Sequence, residues 1–350
     1  MNRFEYQRPA TVPQAIAAAA QAGAAYLAGG TNLLDLMKGN VIRPAHVIDI
    51  TRLPGLNEIT MAADGSVRIG ALVRNGDLAH HPEFAAAYPA VAEALLSGAS
   101  AQLRNAATVA GNLMQRTRCA YFQDLASACN KREAGAGCDA RQGETRLHAI
   151  LGWSEHCIAT HPSDFCVPLA AFDAVVEIDG QRGQRDVPLE TFHLLPGSTP
   201  QNETALEPGE LITAVRLPAS AAEFAAHARY LKIRDRTSYA FAVVSAAAGL
   251  RLDGDTVIEA RFTLGGVALK PWRARAAEAW LAGRTANRDN FRQAAELALA
   301  DARPSGKNEF KIELARRLAT RTLSLAAAGN SSRLPALPGS VVNQIAEPQS

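Results

Sequence analysis

Apolar positions along this chain come in short blocks of two kinds, with turn residues between them. From about Pro13 to Ala22 the spacing is helical. Thr11-Val12-Pro13-Gln14 fits a capping box with proline in the first turn, and Gly23 fits the position just past the last turn. Ala25 to Ala28 is a short apolar strand, Leu33 to Lys38 a short helix, and His46 to Ile50 the next strand. Residues 1–55 therefore read as a small βαβ unit.

A second region, 56–224, predicts strands at Val67–Leu72, Asp173–Ile178 and Leu211–Leu217 and a helix at Pro89–Leu96. Between them, about 116–160 lacks any sustained period. It reads as an insertion wrapped around something other than its own side chains. In the third region, 225–328, strands at Arg229–Ile233, Ala240–Leu252 and Val257–Leu264 precede helices at Ala274–Ala282, Arg288–Ala300 and Glu309–Leu325. Strands followed by helices predict an α+β domain. Residues 329–350, rich in serine and proline, read as a flexible tail.

Composition narrows the function. Hydrophobic residues make up 48% of the 350, and 36 basic side chains stand against 34 acidic ones. That near-neutral balance gives no electrostatic case for nucleic acid or an anionic membrane surface. The longest apolar run, Ala240 to Leu250, is too short to span a bilayer, and the opening MNRFEYQRPA predicts no signal peptide.

Two glycine-bearing loops carry candidate chemistry. Leu27-Ala28-Gly29-Gly30-Thr31-Asn32-Leu33-Leu34 lies between a predicted strand and helix. There two glycines let the backbone approach an anion, and the helix start offers free N–H groups. A tight turn would use the same glycines. Thr108-Val109-Ala110-Gly111-Asn112 is a second such element, otherwise read as a strand-edge loop. Two separated loops together favour a long dinucleotide bound between subdomains. Gly135, Gly137 and Ala140 also match G-x-G-x-x-A, but no strand precedes them, so a Rossmann reading fails.

All five cysteines, Cys119, Cys129, Cys138, Cys157 and Cys166, fall in one short stretch, separated by 9, 8, 18 and 8 residues. Clustering in a chain this long favours a metal or cluster site over a disulfide scaffold. The absence of C-x-x-C removes the zinc-ribbon and thioredoxin readings. Gly135, Gly137 and Gly143 allow the backbone to curl round a bulky group, and Lys131, Arg132 and Arg141 offer counter-charge. Cys166 sits in the apolar run Phe165-Cys166-Val167-Pro168-Leu169 and reads as a buried core thiol. Cys119, Cys129, Cys138 and Cys157 are therefore the predicted ligands. His148, His156 and His161 lie nearby and read as structural.

In this order the motifs resemble the FAD subunit of the xanthine dehydrogenase and molybdenum hydroxylase family. Ala28 to Leu34 is similar to its first flavin motif and Thr108 to Leu113 to its second. Lys232-Ile233-Arg234 is similar to the start of its C-terminal domain. The cysteine insertion, with Gln115 to Cys119 and Cys157 to Asp164, resembles the FAD subunit of periplasmic aldehyde oxidoreductases. The resemblance implies a two-subdomain FAD-binding fold of the PCMH/VAO type followed by an α+β domain of antiparallel strands and helices. It implies non-covalent FAD and a [4Fe-4S] cluster. It also implies a [2Fe-2S] partner subunit, a molybdenum-cofactor subunit, and an external electron acceptor.

Residue by residue, Tyr26, Leu27, Ala28, Gly29, Gly30, Thr31, Asn32, Leu33 and Leu34 would hold pyrophosphate and ribose. Thr108, Gly111 and Asn112 would form a second phosphate wall. Asp164 would accept a hydrogen bond from a ribitol or ribose hydroxyl, and Lys232 would sit near the flavin ring. Without the resemblance, Asp164 reads as a helix cap and Lys232 as a solvated strand residue. The chemistry would belong to the cofactors, so no general acid or base is named. Export with a signal-bearing partner would place the protein in the periplasm; the alternative is the cytoplasm. The rival readings are a hydroxybenzoyl-CoA-type reductase subunit, a self-contained flavoprotein oxidase with a structural metal site, and an assembly scaffold without flavin.

Overall fold

Three sheets in sequence order organise the chain. The computed structural model describes residues 1–329, so nearly all of the predicted tail lies outside the described residues. Strands β1 (Glu5–Gln7), β2 (Ala24–Leu27) and β3 (His46–Asp49) form a parallel sheet in the order β1-β3-β2. Parallel neighbours need crossovers, which the helices Val12–Ala19 and Leu33–Lys38 provide. Ala15, Ile16 and Ala19 pack with Ile48 and Ile50 as a small core of their own.

The capping box is half made. Thr11 Oγ1 accepts from the Gln14 amide, but the Gln14 side chain accepts from the Ala10 amide instead of that of Thr11. The helix also stops at Ala19, with Ala20 as its cap. Gly23 therefore does not end it. Its φ of +77° serves the entry to β2, where its carbonyl receives the Ala45 amide at 2.9 Å.

Strands β4 (Ile59–Met61), β5 (Val67–Gly70), β6 (Val175–Gly180), β7 (Gly183–Pro188) and β8 (Leu211–Leu217) form an antiparallel sheet, ordered β4-β5-β8-β6-β7. The helices Pro89–Ser97, Val109–Leu113 and Cys166–Ala171 share a core with it through Leu95, Val109, Leu169, Val176 and Val215. Polar β7 gave no sequence signal: it is an edge strand in which only Val187 is buried.

Strands β9 (Ala228–Ile233), β10 (Val244–Asp253), β11 (Thr256–Gly265) and β12 (Trp272–Arg273) make the third, antiparallel sheet. Phe262 and Leu264 pack with Phe291, Ala315 and Leu323 of the C-terminal helices, as the strands-then-helices pattern predicts.

The cysteine-bearing insertion has almost no regular structure, only the helix Ala120–Gln123 and a turn at Asp139–Arg141. It is pinned from outside. Fully buried Lys311 donates to the carbonyls of Leu147, His148 and Gly266 at 3.2, 2.8 and 2.7 Å. Asn308 Nδ2 donates to those of His148 and Ala149. The C-terminal domain thus holds the base of the insertion, which has too few apolar residues to hold itself.

Candidate functional site

The two glycine loops meet. A Cβ on Gly29 would lie 2.0 Å from the Ala106 carbonyl oxygen and 3.1 Å from Ala107 Cα, so the first loop rests directly on the backbone that leads into the second. Gly30 has φ +71°, which lets the chain turn from β2 into the helix Leu33–Lys38. Tyr26 and Leu27 end β2, and the Tyr26 hydroxyl is committed to the Gly209 carbonyl at 2.8 Å. Ala28 and Thr31 lie in the turn itself, and Leu33 and Leu34 open the helix, where Leu34 N–H donates to the Gly30 carbonyl.

Asn32 accepts the Arg116 amide on Oδ1 at 2.9 Å, while its Nδ2 is buried with no acceptor. A buried amide donor left open costs about 1–3 kcal/mol, so this loop fits a ligand that supplies an acceptor. In the second loop Thr108 caps the helix Val109–Leu113, its Oγ1 accepting from the Gly111 amide at 3.2 Å. A Cβ on Gly111 would crowd that oxygen at 2.9 Å. Asn112 Oδ1 accepts from Gln115 Nε2 and from Ser163 Oγ at 2.8 Å, tying the loop to the segment before Asp164.

Asp164 and Lys232 are neither a cap nor a solvated residue. Phe165 occupies the cap of the following helix. Asp164 Oδ2 pairs with Lys232 Nζ at 2.7 Å, its Oδ1 accepts from the Tyr230 hydroxyl at 2.5 Å, and the Lys232 side chain is 4% exposed. Tyr230 and Lys232, two apart on β9, present the same face to the carboxylate. Lys232 also donates to the Ser97 carbonyl at 3.2 Å. Burial pushes the Tyr230 phenol well above its usual range, which keeps it a donor. Asp164→Ala should cost about 3–5 kcal/mol of unfolding free energy, because it strands a buried ammonium and a buried hydroxyl. Denaturant titration checks this; a loss below about 1 kcal/mol would mean the pair is readily solvated.

The structure gathers Cys119, Cys129, Cys138 and Cys157 around one cavity, whose wall also includes Phe122, Asn130, Lys131 and Ile158. No disulfide joins them. Burial pushes the Cys119 thiol up to about 11 and the Cys157 thiol up to about 12, and it raises Cys138 as well. Opposing that, the Ala159 amide donates to Cys157 Sγ at 3.5 Å, and neighbouring backbone amides pull the Cys119 and Cys138 thiols back down. Thiols so placed are poor acids alone, yet they are poised to become thiolates once a soft cation shares them. That donor set fits an iron–sulfur cluster.

Asn130 organises the cavity, and the sequence gave no sign of it. It pairs with Gly137 in both directions, by its amide and its Oδ1, and its Nδ2 donates to the His156 carbonyl at 3.0 Å. The three basic residues divide. Lys131 lines the cavity and is anchored on the Pro200 carbonyl and Glu203; Arg132 is spent on the carbonyls of Tyr121, Phe122 and Ser127; Arg141 pairs with Glu155. Gly135 and Gly137 have φ of +82° and +103°, and any Cβ on Gly143 would strike the Tyr121 ring. Cys166 stands apart, fully buried in the core of the middle domain.

The first glycine loop and the cysteine cavity share a wall. Leu36 of the helix that follows the first loop packs with Phe122 and Cys129, and Asp35 pairs with Arg118 at 2.6 Å.

Residues 2–220 match the family described as the FAD binding domain in molybdopterin dehydrogenase, and residues 229–326 the CO dehydrogenase flavoprotein C-terminal domain. The chain belongs to the FAD-binding subunits of the molybdenum hydroxylases. Relatives in this family include the Aldehyde oxidoreductase FAD-binding subunit PaoB of Escherichia coli (strain K12), 49% identical over 94% of this chain and 99% of that one. Among solved structures, carbon monoxide dehydrogenase from Hydrogenophaga pseudoflava superposes with a TM-score of 0.72 at 29% identity, covering 93% of this chain and 98% of that one. Quinoline 2-oxidoreductase from Pseudomonas putida 86 does so with a TM-score of 0.72 at 25% identity and the same coverage. As a family member the chain is an oxidoreductase subunit with a FAD-binding domain, and its relatives are medium chains of multi-subunit enzymes. No helix among the described residues is long and apolar enough to cross a membrane.

Proposed function

We propose that this chain is the FAD- and [4Fe-4S]-carrying electron-transfer subunit of a molybdenum-dependent aldehyde oxidoreductase. It works beside a [2Fe-2S] subunit and a molybdenum-cofactor subunit and serves an external acceptor. The observation that carries the reading is the single cavity walled by all four predicted cysteines, next to a flavin domain. The 49% identity to an aldehyde oxidoreductase FAD-binding subunit supports the choice of substrate class. Bound here, flavin and cluster supply electron exchange; the protein supplies position and electrostatics.

Each protein group then has a defined task. The Gly29-Gly30 turn and the Thr108-capped helix bring backbone N–H groups to the pyrophosphate. Asn32 offers its open amide, and Asp164, held by Lys232 and Tyr230, presents a fixed carboxylate to a hydroxyl. The amides around the cysteines stabilise thiolates, and buried Lys131 offsets their charge.

The test is reconstitution. The complete complex should reduce an acceptor with aldehyde, and omitting this chain should abolish that activity while the molybdenum subunit still binds its cofactor. Full acceptor reduction without this chain would refute the role. On this proposal the enzyme works in the periplasm, exported with a partner bearing a twin-arginine signal. Fractionation of cells in which that partner's signal has been deleted should then move this chain to the cytoplasm. If it is cytoplasmic in both strains, the enzyme works inside.

A further inference from the structure

Cys166, outside the cysteine cavity, has company of its own. His161, Cys166 and His193 each offer a ligand atom, and the three atoms lie within 4.8 Å of one another. His193 Nε2 donates to the Leu113 carbonyl at 2.9 Å, which leaves Nδ1 bare; it is buried with no partner. His161 Nε2 is likewise buried with no partner. The two rings stand 4.3 Å apart, and His193 and Cys166 are 2% and 0% exposed. Two orphaned, buried ring nitrogens on the histidines grouped with one buried thiol are costly unless something joins them.

We propose that His161, Cys166 and His193 form a second metal site, specific for a borderline-soft divalent ion of the zinc class. Two imidazoles and a thiolate give the mixed nitrogen and sulfur donors that zinc accepts. Ligand atoms about a tetrahedral zinc lie about 3.5 Å apart, given bonds of about 2.0–2.3 Å, so the trio must close by about an ångström. Binding releases the Cys166 thiol proton to solvent. It also places the His161 proton on Nδ1, at the expense of the long 3.4 Å contact from the Ser163 amide. Burial already keeps both imidazoles neutral, the form that ligates. The surrounding charges are mixed: Asp164 and Glu203 act on Cys166 and His193, and Lys131 and Lys270 on His161 and His193. The ion would clamp the second flavin loop, through Leu113, to the segment that carries Asp164.

The proposal does not rest on the aldehyde reading or on the cluster. Full-length chain, purified anaerobically with its partners, should contain about one zinc besides its iron. In Cys166→Ala and in His193→Gln, zinc should fall at least about tenfold, with flavin and iron unchanged. Cys119→Ser should do the reverse, lowering iron and sparing zinc. Cobalt(II) taken up in place of zinc should give a thiolate charge-transfer band in the parent protein that Cys166→Ala lacks. The proposal is overturned by absence of zinc both as purified and after dialysis against it, or by zinc that survives Cys166→Ala. Zinc that leaves with Cys119→Ser overturns it too, since that ion would sit in the cysteine cavity.

Discussion

Gly29→Ala is expected to empty the flavin site. The added methyl would lie 2.0 Å from the Ala106 carbonyl oxygen and 2.8 Å from its carbon. Neither can swing away as a side chain would, because both are backbone. Relief requires the two loops to separate by about an ångström, and interiors resist such shifts. The displaced groups are those proposed to face the flavin: the start of the helix Leu33–Lys38, the Asn32 amide, and the Thr108-capped turn. Gly30→Val should also remove flavin, by a different route. Gly30 has φ +71°, a region a branched residue enters only at a cost of about 1–3 kcal/mol. The added atoms first meet flexible Leu34 Cδ1 at 2.8 Å. Flavin per chain, read from the absorbance of purified protein, should drop more than about tenfold for Gly29→Ala, and the released flavin of the parent should be FAD. Normal flavin content in Gly29→Ala would remove the loop contact from the site.

The second large effect concerns the cavity. Serine at Cys119, Cys129, Cys138 or Cys157 should each sharply lower iron and sulfide, because a hydroxyl is a poor ligand for soft iron–sulfur units. Loss should loosen the insertion and leave the three sheets folded, since their cores lie elsewhere. Cys166→Ser should keep the cluster, and its cost falls on the His161–Cys166–His193 trio, about 1–3 kcal/mol for a poorly satisfied buried hydroxyl once the metal is lost. Iron and acid-labile sulfide, measured with far-ultraviolet circular dichroism on the same samples, separate cluster loss from unfolding. If Cys166 is needed for iron and Cys157 is not, the ligand set is wrong.

Much of this was legible in the residues. Helix Leu33–Lys38 and strand β8 lie where the pattern places them, because their apolar spacing and their breakers agree. The separation of Cys166 from the other four followed from its apolar neighbours, and the cavity contains the other four alone. What escaped was set by distant partners. Gly23 looked like a helix stop, but tertiary contact with Ala45 decides its role. Tyr230 looked like an ordinary strand residue until β9 laid it against Asp164, and Asn130 has no local pattern at all. β7 was hidden because this edge strand buries a single side chain, Val187, and is otherwise polar, so it carries almost no apolar alternation.

One measurement tests the central claim most directly: FAD, iron and acid-labile sulfide per chain, with the paramagnetic spectrum of the dithionite-reduced protein, after anaerobic purification. The account predicts one FAD with about four irons and four sulfides, and a reduced-state signal that disappears in Cys129→Ser. A flavin-loaded chain with neither iron nor sulfide, or with zinc held by the four cysteines in their place, would contradict it.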